Sequence, residues 1–480
     1  MLAGHNAGHN TLKSPSGWLW YGAFPAIASI AMLATIANCA DTPAPQQSFA
    51  FASSLRYNQT DGKIRFWQWK VSRDPDDYFN YDRLGAAYSQ KARETGDITY
   101  YSLAEQALGR SLALESKDRE AVSALAHMAT VYFGEHRFLE AIDYAQRAAA
   151  LQTGDVSEYA IIGDAQLEMG EYDKAAQSFA KLRAAAETPE HADLRIAYLA
   201  ESRWAALDFV EGRAARSEAE LRNAIDKAIA AQASPENIAW TQFMLGEELF
   251  LTGNLAGAES FYRAALESYP GFHRALHGLA KISAAEHKFE QAVQFYEQAI
   301  GVIPLPIYAA ELGDVYRRME RADDARKQYE LVEYIARLNA MNKIVYKREL
   351  ALFYADHDLH LPESVELARK ELQVRKDVYT WDVFAFALYK TGRAREAAAA
   401  DAHALRLGTP DPLLYFHAAM IAGALGEHAK EREYFRHALM LNPDFHVLYA
   451  DAARRKLREI DDQSHAIAQG EPNRGIRDAR

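Results

Sequence analysis

Between Trp240 and about Val332 the chain alternates short apolar stripes with polar turns, and the alternation is written three times. Gly246, Ala258, Tyr262 and Pro270 return 34 residues later as Ala280, Ala292, Tyr296 and Pro304. After a further 33 residues Gly313, Ala325 and Tyr329 answer Ala280, Ala292 and Tyr296. Within a unit, Leu245, Gly246 and Leu249 fall on one face of a first helix, and Ala258, Tyr262 and Ala265 on one face of a second. Gly253 lies between them, where a positive φ is cheap only for glycine. Pro270 closes the unit because it cannot continue a helix. Neither helix can bury its stripe alone, so the pattern predicts stacked helix pairs and a chain built by repetition.

The same phase extends in both directions. Upstream it is carried by Leu84, Gly85 and Tyr88 with Ala104, Leu108 and Ser111, then by Met128, Ala129, Tyr132, Ala141 and Ala148. A third unit holds Tyr159, Gly163, Gly170, Ala175 and Phe179. The stretch KARETGDITYY adds about two turns of helix to the first of these units. Residues 190–235 lose the motif but keep helical periodicity around Trp204 and Ala224, as an enlarged divergent unit. Downstream, an irregular pair over about 338–376 is joined by YADHDLHLPES. Trp381, Ala385, Gly392, Ala397 and Ala404 then restart the pattern, and Tyr415, Ala419, Gly426, Phe435, Ala438 and Pro443 repeat it once more.

The segments MLGEELFLTGNLAGAESFYRAALESYP, GLAKISAAEHKFEQAVQFYEQAIGVIP and ELGDVYRRMERADDARKQYELV resemble the tetratricopeptide repeat (TPR) family. The resemblance covers about residues 75–443. It implies an all-α, right-handed superhelical solenoid of about ten antiparallel helix pairs, with a concave groove that binds peptides or proteins. It also implies that the first helix of each pair lines that groove. By repeat phase the groove positions are then Trp240, Phe243, Glu247 and Phe250, followed by Arg274, His277 and Lys281, and by Asp314, Arg317 and Arg318. Farther along they are Tyr379, Asp382, Phe386 and Tyr389. Arg274, Lys281, Arg317 and Arg318 would gather four cations on one surface, matched by solvent or by an acidic partner, with aromatic anchors beside them. The paired Lys/Asn/Arg clamp of chaperone-binding members is not evident at these positions.

Outside the repeats, Trp18 to Ala37 is a run of 20 residues without a charge, long enough to cross a bilayer as a helix. It ends at TIANCAD, which resembles a lipoprotein signal with Cys39 as the lipidation site; Asn38 departs from the small residue preferred there. Residues 1–40 therefore read as an export signal, a membrane anchor or a lipoprotein-like leader, and the expected location is the periplasmic side of a cell envelope. Residues 41–74 read as a linker and a short helix capped by Asp61, with Ile64, Trp67 and Val71 on one face and Phe66 and Trp69 off it. These aromatics are expected to pack on the first repeat. Residues 444–460 read as a capping helix and 461–480 as a disordered tail.

Composition narrows the function. Apolar residues at 49% and charged residues at 25% are ordinary for a soluble chain. The 54 basic and 66 acidic residues give −12, which argues against a general nucleic-acid role. Cys39 is the single cysteine, so no intrachain disulfide, cysteine metal site or thiol nucleophile is available to the folded body. No phosphate-binding glycine loop, nucleophile elbow or zinc helix is written in the sequence, and no cofactor or metal is expected. Asp356, His357, Asp358 and His360 form the most enzyme-like cluster, but they lie at a turn, where such residues cap helices. The expectation is a non-enzymatic scaffold or assembly factor that binds partner proteins at the cell envelope. The alternative is a polysaccharide- or glycan-binding component of an envelope export system, with Trp240 and Tyr379 stacking on sugars.

Overall fold

The structure is a computed structural model and describes residues 46–95, 97–115, 121–151, 156–187, 193–341 and 347–468. The leader at 1–40, Cys39 included, lies outside the described residues. Among the described residues every regular element is a helix. A first helix, α1 (Gln46–Arg73), precedes ten pairs. The pairs are α2 (Tyr78–Thr95) with α3 (Thr99–Leu114), α4 (Val122–Gly134) with α5 (Phe138–Leu151), α6 (Glu158–Glu168) with α7 (Tyr172–Ala186), and α8 (Leu194–Val210) with α9 (Ala214–Ala230). The centre holds α10 (Pro235–Leu251) with α11 (Leu255–Ser268), α12 (His273–Ala285) with α13 (Phe289–Val302), and α14 (Pro306–Arg318) with α15 (Ala322–Met341). The last pairs are α16 (Lys347–Asp356) with α17 (Leu361–Glu371), α18 (Val378–Lys390) with α19 (Ala394–Ala404), and α20 (Pro412–Ala424) with α21 (His428–Leu441). Helix α22 (Tyr449–Ala468) follows them.

Local chemistry sets the ends. Ser234 accepts from the Asn237 amide and Pro235 occupies the first turn of α10, so the helix starts with an orphan donor satisfied and no N–H wasted. Asp377 does the same for α18, accepting from the amides of Tyr379 and Thr380. Among the described residues, the turns of nine of the pairs hold a left-handed residue. Glycine supplies it at Gly170, Gly212, Gly253, Gly392 and Gly426, while His136, His287, Glu320 and Asp358 adopt the same φ at equivalent turns without that advantage.

Packing within and between pairs explains the small residues of the motif. Tyr262 is fully buried and its ring lies against both Gly246 of its own pair and Gly278 of the next, where an added Cβ would fall 2.6 Å and 2.5 Å from ring carbons. Gly163 admits Phe179 and Gly313 admits Tyr329 in the same manner. One aromatic thus bridges two stacked units, and its burial is the nearest-neighbour coupling that a solenoid relies on.

Several boundaries differ from the sequence reading. Helix α1 begins at Gln46, inside the stretch read as a linker, and Asp61 lies mid-helix, 2.7 Å from Lys91 Nζ, instead of capping it. Ile64, Trp67 and Val71 turn inward as expected, whereas Phe66 and Trp69 stay about half exposed because α2 covers only the opposite side of α1. Residues 190–235 contain an ordinary pair, α8 and α9. Helix α22 runs to Ala468, past residue 460, with Arg432 and Arg436 of α21 paired to Asp461.

The stacked pairs come round far enough to touch. The turn of the third pair meets the segment leading into α18: Lys376 donates its amide to the Met169 carbonyl at 3.0 Å, and Arg375, itself buried, pairs with Glu168. The turn of the fourth pair receives Thr409, whose hydroxyl donates to the Val210 carbonyl. The turn of the fifth receives Asn442, which donates to the Phe250 carbonyl. These contacts make a seam along which one coil of the superhelix rests on the next.

Candidate functional site

The first helices of the central pairs carry the residues assigned to the groove. Lys281 Nζ lies 2.7 Å from a Glu247 carboxylate oxygen, and His277 Nε2 lies 2.6 Å from Glu311. Asp314 is buried, 2.9 Å from His357 Nε2. Three second-helix tyrosines complete the ladder: Tyr262 donates to Glu247 at 2.5 Å, Tyr296 to Glu311 at 2.8 Å and Tyr329 to Asp314 at 2.8 Å. Burial pushes the Glu311 carboxyl up, but the charges of His277 and Lys281 and the Tyr296 hydrogen bond outweigh it and hold the group at about 2. Burial likewise opposes a charge on His357, and the Asp314 carboxylate overcomes it, raising the imidazole above its ordinary value.

Two of the four cations are matched by carboxylates within the chain, which corrects the expectation of solvent or an acidic partner for those two. Lys281 is spent on Glu247, and Arg318 pairs with Asp451 of α22. Arg317 is exposed. Arg274 lies 4.9 Å over the Trp240 ring. For Lys281 the reason is geometric: equivalent positions in neighbouring units face each other, so it meets the opposite charge of Glu247 written 34 residues earlier.

The aromatic candidates divide in the same way. Phe243 is buried among Trp240, Tyr262 and Phe272. Phe250 is also buried, beneath Lys281 Nζ. Phe386 is 2% exposed, covered by the His417 ring at 3.8 Å, and His417 is fixed by Asp382 at 2.9 Å. Phe386 and Asp314 are thus closed off from any partner by the packing of adjoining pairs. Tyr379 and Tyr389 are partly buried, Tyr389 stacked on Phe386. Trp240 alone among these rings remains 42% exposed.

The Asp356–His360 cluster disperses. Asp356 accepts from the Tyr449 hydroxyl at 2.7 Å, Asp358 pairs with Lys390 at 2.7 Å, and His360 points to Glu333 at 3.3 Å, while His357 serves Asp314. Among the described residues no group of three or more His, Cys, Asp and Glu side chains is arranged to hold a metal ion. The sequence reading missed Glu311 and the three tyrosine hydroxyls. The opposite charges of Glu247 and Lys281 at one repeat phase were the available signal for the pairing.

The chain is a helical-repeat solenoid, a class defined by binding surfaces made of stacked pairs. The Tetratricopeptide repeat family model matches residues 413–445, the pair α20 and α21. Helix pairs carrying the same motif recur every 33–34 residues through the centre of the chain. No curated relative matches the chain. Among solved structures, yeast Tom70 aligns with 89% of this chain and 100% of its own at 13% identity and a TM-score of 0.36. The Cut9–Hcn1 hetero-tetramer of the APC/C aligns with 87% of this chain and 96% of its own at 13% identity and 0.30. A tetratricopeptide repeat protein from Parabacteroides merdae aligns with 55% of this chain and 99% of its own at 16% identity and 0.32.

Proposed function

We propose that the protein is a non-enzymatic scaffold or assembly factor of the cell envelope that holds partner proteins or peptides on the first-helix face of its central repeats. The tetratricopeptide fold supports protein binding, and the uncharged run Trp18–Ala37 with Cys39 supports an exported or membrane-anchored chain.

The observation that carries the binding site is the Trp240–Arg274 pair. Trp240 is the exposed large apolar residue of α10, and Arg274 from the next pair lies over its ring. A tryptophan held rigid beside a guanidinium is the kind of anchor that dominates interface energetics. Trp240→Ala is expected to cut recovery of crosslinked protein partners from intact cells at least tenfold while leaving the melting temperature unchanged. Unchanged recovery removes the site. Capture of polysaccharide instead, insensitive to high salt and lost in the same variant, replaces the protein partner with a glycan.

A further inference from the structure

A second surface lies at the other end of the chain, on α1. Phe66, Trp69 and, from α2, Phe79 are 49%, 53% and 44% exposed. With Trp67 they form a continuous run of rings: Trp69 to Phe66 at 6.3 Å, Phe66 to Trp67 at 4.9 Å, and Trp67 to Phe79 at 6.0 Å. Cations border this run. Arg73 lies 5.9 Å over Trp69 and Arg83 lies 4.9 Å over Phe79. Lys63 and Arg65 are exposed and Lys70 is half-buried along the same helix. None of Lys63, Arg65, Lys70 and Arg73 forms an ion pair among the described residues.

The neighbouring acids are engaged elsewhere or lie beyond the helix. Asp61 pairs with Lys91, Asp77 accepts from the Phe79 amide, and Asp76 is 3.6 Å from Arg110; Asp74 stands just past the C-terminal end of α1. A chain with a net charge of −12 thus keeps one face where cations and exposed aromatics coincide.

We infer that this face docks on an anionic bilayer surface. Tryptophan and phenylalanine settle at the boundary between headgroups and acyl chains, and flanking lysine and arginine reach the phosphates. The cations complement an anionic leaflet, where each basic residue is worth roughly fivefold in partitioning. Folding has already buried Ile64 and packed Trp67 and Val71 against the core, so Phe66 and Trp69 are the aromatics of α1 that the fold does not use. The uncharged run ahead of α1 would hold the chain at such a surface. The inference rests on the envelope reading for the presence of a bilayer, and on α1 itself for the contact.

The test uses the full chain, reconstituted into vesicles of phosphatidylethanolamine and phosphatidylglycerol, with a photoreactive benzoylphenylalanine at position 69. The same probe at Tyr334, an exposed ring on α15, is the control. Lipid adducts are expected at 69 and not at 334. They are expected to fall at least tenfold in Lys63→Glu with Lys70→Glu, and in vesicles of phosphatidylcholine alone, while the chain still floats with the vesicles. Flotation without lipid adducts at 69 overturns this inference and leaves the envelope reading intact. Absence of flotation overturns both. An adduct to another protein, or to residues 1–45 of the chain, makes the face a protein-docking site and also overturns it.

Discussion

The side-chain amide of Asn442 donates to the Phe250 carbonyl at 2.7 Å across 192 residues of sequence, and Asn442 is completely buried. The bond satisfies a carbonyl at the end of α10 with a residue from the far end of the solenoid. Beside it, Gly253 at φ +81 passes so close to Leu441 that an added Cβ would lie 2.5 Å from its carbonyl oxygen. One coil of the superhelix is thus latched to the next by backbone contacts that a larger residue blocks.

Asn442→Ala is expected to cost about 0.5–1.5 kcal/mol, because the Phe250 carbonyl loses the donor from the far coil and keeps the Gly253 amide at 3.0 Å. Gly253→Ala adds left-handed strain to a direct backbone clash. In both variants hydrogen exchange should rise first at residues 250–254 and 441–445, with the interiors of α10 and α21 still protected. Uniform deprotection of the chain would contradict a local seam.

Gly313→Leu probes coupling within the stack. A Cβ at Gly313 would meet Tyr329 Cε1 at 2.3 Å, so the substitution displaces the ring and breaks its hydrogen bond to Asp314. The expected loss is about 1–3 kcal/mol from overpacking. Exchange should increase in α14, α15 and α16 and fade beyond them, since each pair touches chiefly its neighbours.

The ion-pair ladder separates two uses of charge. Lys281→Glu places a second carboxylate against Glu247 and should lower the melting temperature, by an amount corresponding to about 2–4 kcal/mol for a mostly buried pair. Arg317→Glu, at an exposed position, should change stability by less than about 1 kcal/mol. Thermal melts of the two single variants check the contrast, and equal effects would contradict the ladder.

Glu248 sets an alkaline limit. Burial pushes its carboxyl up to about 8. Ser217 Oγ lies 2.7 Å from both the Ala205 carbonyl and Glu248 Oε1, and the hydroxyl has one proton to give. Protonated Glu248 supplies the other. A group whose folded value exceeds its unfolded value contributes stability that is full below the unfolded value, near 4.5, and is lost as pH rises through about 8. Glu248→Gln should therefore raise the melting temperature at pH 9 more than at pH 5. A pH-independent effect of the substitution would rule out the titration.

The repeat itself was legible because its contacts are local. Gly246 faces Tyr262 within one pair, and Gly278 receives the same ring from the next, so the requirement recurs every 34 residues and writes the period into the sequence. The pairing of Glu247 with Lys281 belongs to the same level, being opposite charges at one phase in adjoining units. What the sequence by itself determined was therefore the helix pairs, their number and the face each turns to its neighbour. Tertiary structure decided the rest. The seam joins residues about 190–207 positions apart, at Phe250 with Asn442 and Glu168 with Arg375, and its register comes from a small rotation per pair summed over many pairs. No periodicity encodes that sum. Packing of adjoining pairs decides which aromatics remain outside: Phe386 disappears under His417 of the next pair, while Trp240, Phe66 and Trp69 keep exposed faces.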